Sequence, residues 1–310
     1  MTALRAHRRG GPEVLVVERA PIPVPAPGEV LIEVHAAAIT FDELTWDETW
    51  TRDGLDRTPT IPSHEVSGIV AVAASDVTDI AVGDEVYGLI PFDRDGAAAE
   101  YVAVPANCLA ARPTTCSHLQ SAALPLAGLT AWQALVDHAA VQPGERVLVH
   151  GGAGGVGALT IQLAARLGAD VTTTVRSDVA DLMTELGATT VIDTRTEQFD
   201  RLDAEYDVVI DTVGGQTLER SFAILRPGGR LVTLSAPPPP GKAEAFEVIA
   251  TFFIVTPNHS QLTQLTELVD AAGMHIAIAG AFPLEDGRAA FESGQRPHRA
   301  AGKTVLIVRD

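Results

Sequence analysis

The residues best suited to chemistry are the small ones that follow Arg146-Val147-Leu148-Val149-His150: Gly151, Gly152, Ala153, Gly154, Gly155, Val156 and Gly157, running directly into ALTIQLAARLG. An apolar strand, a turn of small residues and a helical segment stand here in the order a dinucleotide cradle needs. Glycines let the backbone turn sharply and approach a pyrophosphate closely, while the N–H groups and dipole of the helix start attract its charge. Ala153 stands where such turns commonly carry their first glycine. The turn lacks the Lys-Ser/Thr ending of a triphosphate-binding loop. The bland alternative is a strand-to-helix turn that holds no ligand.

The end of the next strand selects between NAD and NADP, because a carboxylate there would bond the ribose 2′-hydroxyl. Here the strand ends Thr173-Thr174-Val175-Arg176-Ser177, and Arg176 with Ser177 suits a 2′-phosphate by charge and hydrogen bonding. Asp178 complicates the reading, and Arg176 as an ordinary surface arginine is the alternative. NADPH is therefore expected over NADH. Two later strand ends, Asp211-Thr212-Val213-Gly214-Gly215 and Thr233-Leu234-Ser235-Ala236, also reach the edge where ligands bind in such folds. Thr212, Val213, Gly214 and Ser235 are candidates for ribose and nicotinamide contacts, or simply serve turns.

Composition excludes several other functions. Lys and Arg number 22 against 40 Asp and Glu, a formal charge of −18 that repels nucleic acid and anionic lipid. The two cysteines, Cys108 and Cys116, make neither a disulfide framework nor a four-cysteine metal lobe, and suit a reducing cytoplasm. No uninterrupted apolar run reaches membrane-spanning length, and the basic start MTALRAHRRGGPEV has no apolar stretch behind it. No Ser-His-Asp set or paired-carboxylate motif competes with the glycine turn.

The elements that must position these residues fall into two kinds. Residues 1 to about 121 read as short strands between Gly and Pro, including Val30–His35, Val66–Val72, Glu85–Leu89 and Glu100–Val104. From Leu124 the spacing turns helical, and after Gln142-Pro143-Gly144-Glu145 strands and helices alternate through Ser235, the pattern of a parallel sheet covered by helices. A helix over Gln261–Ala272 then gives way to strands at His275–Leu284 and Thr304–Val308. The tail strands leave that alternating rhythm, so the residue pattern sets a β-rich region before about 121 against an alternating region after it.

Taken together, PAPGEVLIEVHAAAIT, IPSHEVSGIV, VGDEVYGL, AEYVAVP, AALPLAGLTAWQAL, VQPGERVLVHGGAGGVG, VVIDTVGG, LRPGGRLVTL and FPLEDGRAAFE…GKTVLIV resemble the medium-chain dehydrogenase/reductase superfamily. The likeness is to its zinc-free quinone oxidoreductase branch, which includes zeta-crystallin, and it covers nearly the whole chain. It implies an α/β fold: a doubly wound parallel-sheet (Rossmann) nucleotide-binding domain over 122–272 plus a β-rich GroES-like catalytic domain from both chain ends, 1–121 and 273–310, with the active site in their cleft. It also implies a homodimer or larger oligomer.

The resemblance assigns further residues. Thr130, Phe253, Val255 and Lys303 fall where relatives approach the cofactor, although Phe253 and Val255 read equally as core or dimer edge, and Lys303 as a surface lysine. Thr40 takes the place of the first zinc-ligating cysteine of the alcohol dehydrogenase branch and of an asparagine in quinone-reductase relatives. Its hydroxyl cannot replace that thiolate; it can bond a substrate carbonyl, or bond the backbone as an ordinary strand-end threonine. His64-Glu65 survives from the ligand motif, and neither zinc nor any other metal is expected. Phe41, Trp46 and Trp50 offer either walls for a flat substrate or a packed loop.

Without a Lewis acid, hydrogen bonds must stabilise the anion that hydride addition creates, which favours electron-poor acceptors. The expected reaction is NADPH-dependent reduction of a quinone or α,β-unsaturated carbonyl. The alternatives are reduction of an enoyl thioester or polyketide intermediate, and a non-catalytic protein that binds NADPH.

Overall fold

A computed structural model describes residues 1–176, 178–201, 205–296 and 300–309. The chain divides into two compact units, 1–129 with 256–310, and 130–255.

The second unit is built on six parallel strands. In spatial order they are Thr190–Asp193, Asp170–Val175, Arg146–His150, Tyr206–Asp211, Leu225–Thr233 and Ile249–Phe252. Arg146–His150 carries a near-continuous apolar run because a parallel strand in the middle of a sheet is covered on both faces. The chain steps outward from it in one direction, then returns to its other side at Tyr206–Asp211, pairing His150 with Asp211. That reversal leaves a crevice at the carboxyl ends of these two strands, the place where open α/β sheets bind ligands. Helices Gly155–Arg166, Ala180–Glu185 and Gly215–Ser221 make the crossovers.

The first unit is a mainly antiparallel sheet. Its order is Ile278–Pro283, Lys303–Ile307, Glu29–Ile39, Glu65–Ala73, Glu85–Leu89 and Leu109–Ala111, with Tyr101–Pro105 paired to the first half of Glu29–Ile39. The C-terminal strand is seated against residues 36–39, so both chain ends build this sheet. Its core runs through Leu4, Val30, Ile32, Val34, Ile39, Val66, Leu109, Phe291 and Leu306.

The boundaries differ from those expected at 121 and 273. Helix His259–Ala272 has the composition of another crossover helix, yet it belongs with the β-rich unit. Three polar ties explain this. The buried Tyr87 hydroxyl donates to the Leu262 carbonyl at 2.7 Å and receives Thr266 Oγ1 at 3.2 Å. The Asp270 carboxylate accepts the backbone N–H groups of Thr114 and Thr115, both at 3.0 Å, and His259 Nδ1 lies 2.5 Å from the Leu109 carbonyl oxygen. None of these pairings is visible as a period in the sequence.

Tyr87→Phe would strand the Leu262 carbonyl and leave Thr266 a partner short. Its cost should be about 1–2 kcal/mol, measurable as a lower denaturant midpoint with an unchanged slope.

Candidate functional site

In the nucleotide unit the glycine turn is a set of close backbone approaches. Helix Gly155–Arg166 starts from an extended Gly154, whose carbonyl accepts the Ala158 N–H at 3.0 Å. A Cβ on Gly157 would lie 2.2 Å from the Gly151 carbonyl oxygen and 2.9 Å from Gly152 Cα, so that position admits no side chain. A Cβ on Gly152 would lie 2.2 Å from Thr173 Oγ1. Ala153 is half-buried and Gly154 exposed. The first helical turn, including Gly155, Val156 and Gly157, has N–H groups with no acceptor inside the helix, and these face whatever fills the turn. A phosphate fits this cradle by size, hydrogen bonding and dipole.

The neighbouring strand ends converge on the same place. A Cβ on Gly151 would meet Thr212 Oγ1 at 2.5 Å and Val213 Cγ2 at 3.2 Å; the Thr212 hydroxyl donates to the His150 carbonyl at 2.8 Å. Gly214, at φ +76°, has room for no Cβ because Ser235 Cβ would lie 2.7 Å away. Thr212, Val213, Gly214 and Ser235 are thus brought together beside the turn. Sequence reasoning missed the residue that shapes them: buried Asp211 accepts the N–H groups of Val213 at 3.1 Å and Gly214 at 3.0 Å, and the Thr233 hydroxyl at 3.1 Å. His150 was equally silent in sequence. Burial holds its imidazole neutral, down to about 3, between Thr174 Oγ1 at 3.1 Å and Ser221 Oγ at 2.9 Å.

Thr130 is buried, and its Oγ1 has no partner among the described residues; such an oxygen is costly to leave dry and suits a ligand's donor or acceptor. The Phe253 ring sits 4.3 Å from that of His138, and Val255 is buried. At the second strand end Arg176 is exposed and makes no ion pair among the described residues, while Ser177 lies outside them. Asp178, the troublesome carboxylate, is held by Arg195: Nη2 lies 2.5 Å from Asp178 Oδ1, and Nε lies 2.9 Å from both oxygens of Asp193. Arg195 sits one strand further on, at the end of Thr190–Asp193, which is why residue spacing after the glycine turn did not find it.

In the β-rich unit three strand ends meet. Ile39 is in register with Thr304 and Ala38 with Glu65, which places Thr40, Glu65 and Lys303 side by side. The Lys303 ammonium ion-pairs with Glu65 Oε2 and donates to Thr40 Oγ1 at 3.2 Å. The other carboxylate oxygen, Oε1, accepts the Leu126 N–H at 3.1 Å, from the first turn of helix Pro125–Trp132. Burial raises the Glu65 pKa, opposed by that ammonium and that N–H. Lys303, expected on the cofactor side, is therefore tied to Thr40 and Glu65.

Beside them lies a second buried pair. Glu43, in the short helix Glu43–Thr45, accepts the Ser63 N–H at 3.0 Å and lies 3.8 Å from His64 Nε2. Burial raises the Glu43 carboxyl to about 8, against the pull of the Ser63 N–H and Lys303, and lowers His64 to about 3, aided by Arg57. With those values the proton stays on Glu43 and the imidazole is neutral, so the two form no ion pair at neutral pH.

The aromatic residues divide. Trp46 packs edge-on against Phe92, with centroids 5.0 Å apart, and Phe92 edge-on against His64 at 5.4 Å. Phe41 is half-buried against the core and close to Gly294. Trp50 corrects the expectation of a pocket wall: it is only 2% exposed, and its indole N–H donates to the Leu44 carbonyl at 2.9 Å. A loop this short satisfies its buried backbone by folding the indole inward.

No group of three or more His, Cys, Asp or Glu among the described residues is arranged to hold a metal. Around His64 the fit to zinc is poor on its own terms: Thr40 offers a hydroxyl for a thiolate, and the Lys303 ammonium occupies Glu65 and would repel a cation.

Residues 26–114 match the alcohol dehydrogenase GroES-like domain, and residues 186–306 the family described as zinc-binding dehydrogenase. The chain is 32% identical to a "Probable zinc-binding oxidoreductase, mitochondrial" of Arthroderma benhamiae, over 92% of this chain and 91% of that one. It is also 32% identical to the "NADPH-dependent alkenal/one oxidoreductase, chloroplastic" of Arabidopsis thaliana, over 96% and 77%. The solved quinone oxidoreductase of Coxiella burnetii superposes with a TM-score of 0.91 at 32% identity, covering 100% of this chain and 99% of that one. The chain belongs to the medium-chain dehydrogenase/reductase superfamily, in its quinone oxidoreductase-like branch. Membership accounts for the two-part fold and for a sheet shared between the chain ends. It leaves the buried Glu43–His64 pair and the Arg195 clamp as features to be explained by this chain's own residues.

Both features are testable. Glu43 holds its proton in the folded protein up to about pH 8 but only to about 4.5 when unfolded, so folding takes up a proton between those values. Below about 6.5 the neutral His64 opposes this effect, so stability should fall as pH rises from about 6.5 to 8, by at most about 1.4 kcal/mol per pH unit, and Glu43→Gln should flatten that slope in denaturant titrations. Removing the Arg195 clamp releases Asp178, so Arg195→Ala should lower the preference for NADPH over NADH by about tenfold, read as a ratio of Kd values; an unchanged ratio would show that Asp178 does not face the ribose.

Proposed function

We propose that this protein reduces quinones or α,β-unsaturated carbonyls at the expense of NADPH, without zinc. NADPH held by these residues would supply a hydride to the acceptor, and the delocalised oxyanion so formed would take a proton from solvent. The nucleotide unit contributes the cradle Gly152–Gly157 and the strand-end residues Thr212, Val213, Gly214 and Ser235, with Thr130, Phe253 and Val255 toward the nicotinamide. Arg176, with Ser177, meets the 2′-phosphate. The β-rich unit contributes Thr40 as hydrogen-bond donor to the acceptor's oxygen, with Phe41 and Trp46 lining its approach.

The observation that carries this reading is the end of the β-rich sheet, where a hydroxyl backed by an ammonium stands in place of a metal-ligand set. Such a donor suffices for an anion already spread over a conjugated system, and an isolated ketone would need more. Preference for NADPH is supported by Arg176, which makes no ion pair among the described residues, by the ion pair that ties Asp178 to Arg195, and by the name of the Arabidopsis relative. A homodimer is supported by the edge strand Ile249–Phe252, which leaves Ile249 and nearby Ile254 about 60% exposed. No helix among the described residues is long and apolar enough to cross a membrane, and both cysteines are free thiols; a cytoplasmic setting completes the reading.

Oxidation of NADPH and NADH, followed at the nicotinamide absorbance band with a panel of quinones, enones and enoyl thioesters, tests it. Turnover of quinones or enones with NADPH, by protein in which metal analysis finds no zinc, is the expected result. NADPH binding without oxidation of any acceptor would mean a non-catalytic protein, turnover of thioesters alone would reassign the substrate, and stoichiometric zinc would overturn the metal-free mechanism.

A further inference from the structure

Thr40 places a hydroxyl at the end of the β-rich sheet, and a hydroxyl can turn either way. It carries one proton and two lone pairs, and a free threonine at a strand end would as readily accept as donate. The atom at 3.2 Å decides the matter. An ammonium has three N–H donors and no acceptor, so the bond between Lys303 Nζ and Thr40 Oγ1 can only run from lysine to threonine. That bond is the one the Thr40 side chain makes among the described residues, and the Thr40 carbonyl is already engaged by the Glu43 N–H at 3.1 Å. The hydroxyl proton is left to point away from the ammonium.

We infer that Lys303, held on Glu65, is a positioning residue that makes Thr40 a one-way donor to the oxygen of the acceptor. The assignment rests on the reading of Thr40 given above, and it reassigns Lys303 from cofactor contact to this role. Lysine is normally a poor positioning group because its stem is flexible. Here the stem is anchored at both ends. Lys303 opens the strand Lys303–Ile307, registered against the end of Glu29–Ile39, and its ammonium meets a carboxylate that is 1% exposed and fixed in turn by the Leu126 N–H. The positive charge also stands directly behind the hydroxyl, so a bond from Thr40 to an oxygen gaining negative charge strengthens as the charge grows. It therefore favours the transition state over the bound substrate. No proton leaves Thr40 or Lys303 in this account.

A double-mutant cycle of Thr40→Val and Lys303→Met, assayed with one enone and one quinone, tests the inference. Each single change should lower kcat on the enone about tenfold or more, with NADPH affinity unchanged, and the double variant should be no slower than Thr40→Val alone. The loss should be smaller on the quinone, whose anion needs less help, and Thr40→Ser should keep most of the wild-type rate. Lys303→Met leaves Glu65 buried and unpaired, so Lys303→Met/Glu65→Gln guards against loss of fold and should show the same kcat defect. Additive losses in the double variant, or weaker NADPH binding by Lys303→Met with Thr40→Val fully active, would overturn the inference while leaving the reductase reading intact. A wild type that reduces neither acceptor would overturn both.

Discussion

The nucleotide unit depends on one steric fact: the helix can begin where it does only because Gly157 presses its Cα against the Gly151 carbonyl. That approach brings the first-turn N–H groups to the mouth of the turn and sets the strand ends Thr212–Gly214 and Ser235 around it. A methyl group at 157 would have to push the strand end and helix start apart, and the ends of Arg146–His150 and Tyr206–Asp211 are locked by register and by the Thr212 bond to His150. The glycine pattern is therefore a packing requirement first and a ligand site as its consequence.

The β-rich unit follows a different logic, in which burial rather than shape decides the chemistry. Four ionisable side chains, Glu43, His64, Glu65 and Lys303, gather at one end of its sheet, almost out of water. Low dielectric makes each charge expensive unless it is matched. Glu65 and Lys303 match each other, whereas Glu43 and His64 keep neutral forms. The result is one oriented ion pair amid otherwise neutral groups, and its ammonium is spent on a hydroxyl instead of on water.

The two sites handle carboxylates in opposite ways. Asp178 lies in solvent and pairs with Arg195, which it shares with Asp193, an exposed interaction that salt screens. Glu65 is shielded and its partner cannot be exchanged for counterions. Cofactor preference should thus respond to ionic strength more readily than acceptor activation does.

Much of this protein was legible in its residues. The turn His150–Gly157, the alternation from Arg146 to Ser235 and the strands at Glu85–Leu89 and Arg146–His150 are local patterns, and local patterns are what backbone sterics and hydrophobic periodicity write into a chain. The tertiary structure alone decided which distant side chains meet. Lys303 reaches Thr40 across 263 positions because a C-terminal strand is inserted beside Glu29–Ile39, and Arg195 reaches Asp178 across a parallel strand pair. Helix His259–Ala272 joined the β-rich unit through hydrogen bonds to Tyr87, Thr114 and Thr115, and Trp50 turned inward to satisfy the Leu44 carbonyl. Each of these is a choice of partner for a polar group that folding removes from water, and a partner far along the chain leaves no period or spacing by which to find it.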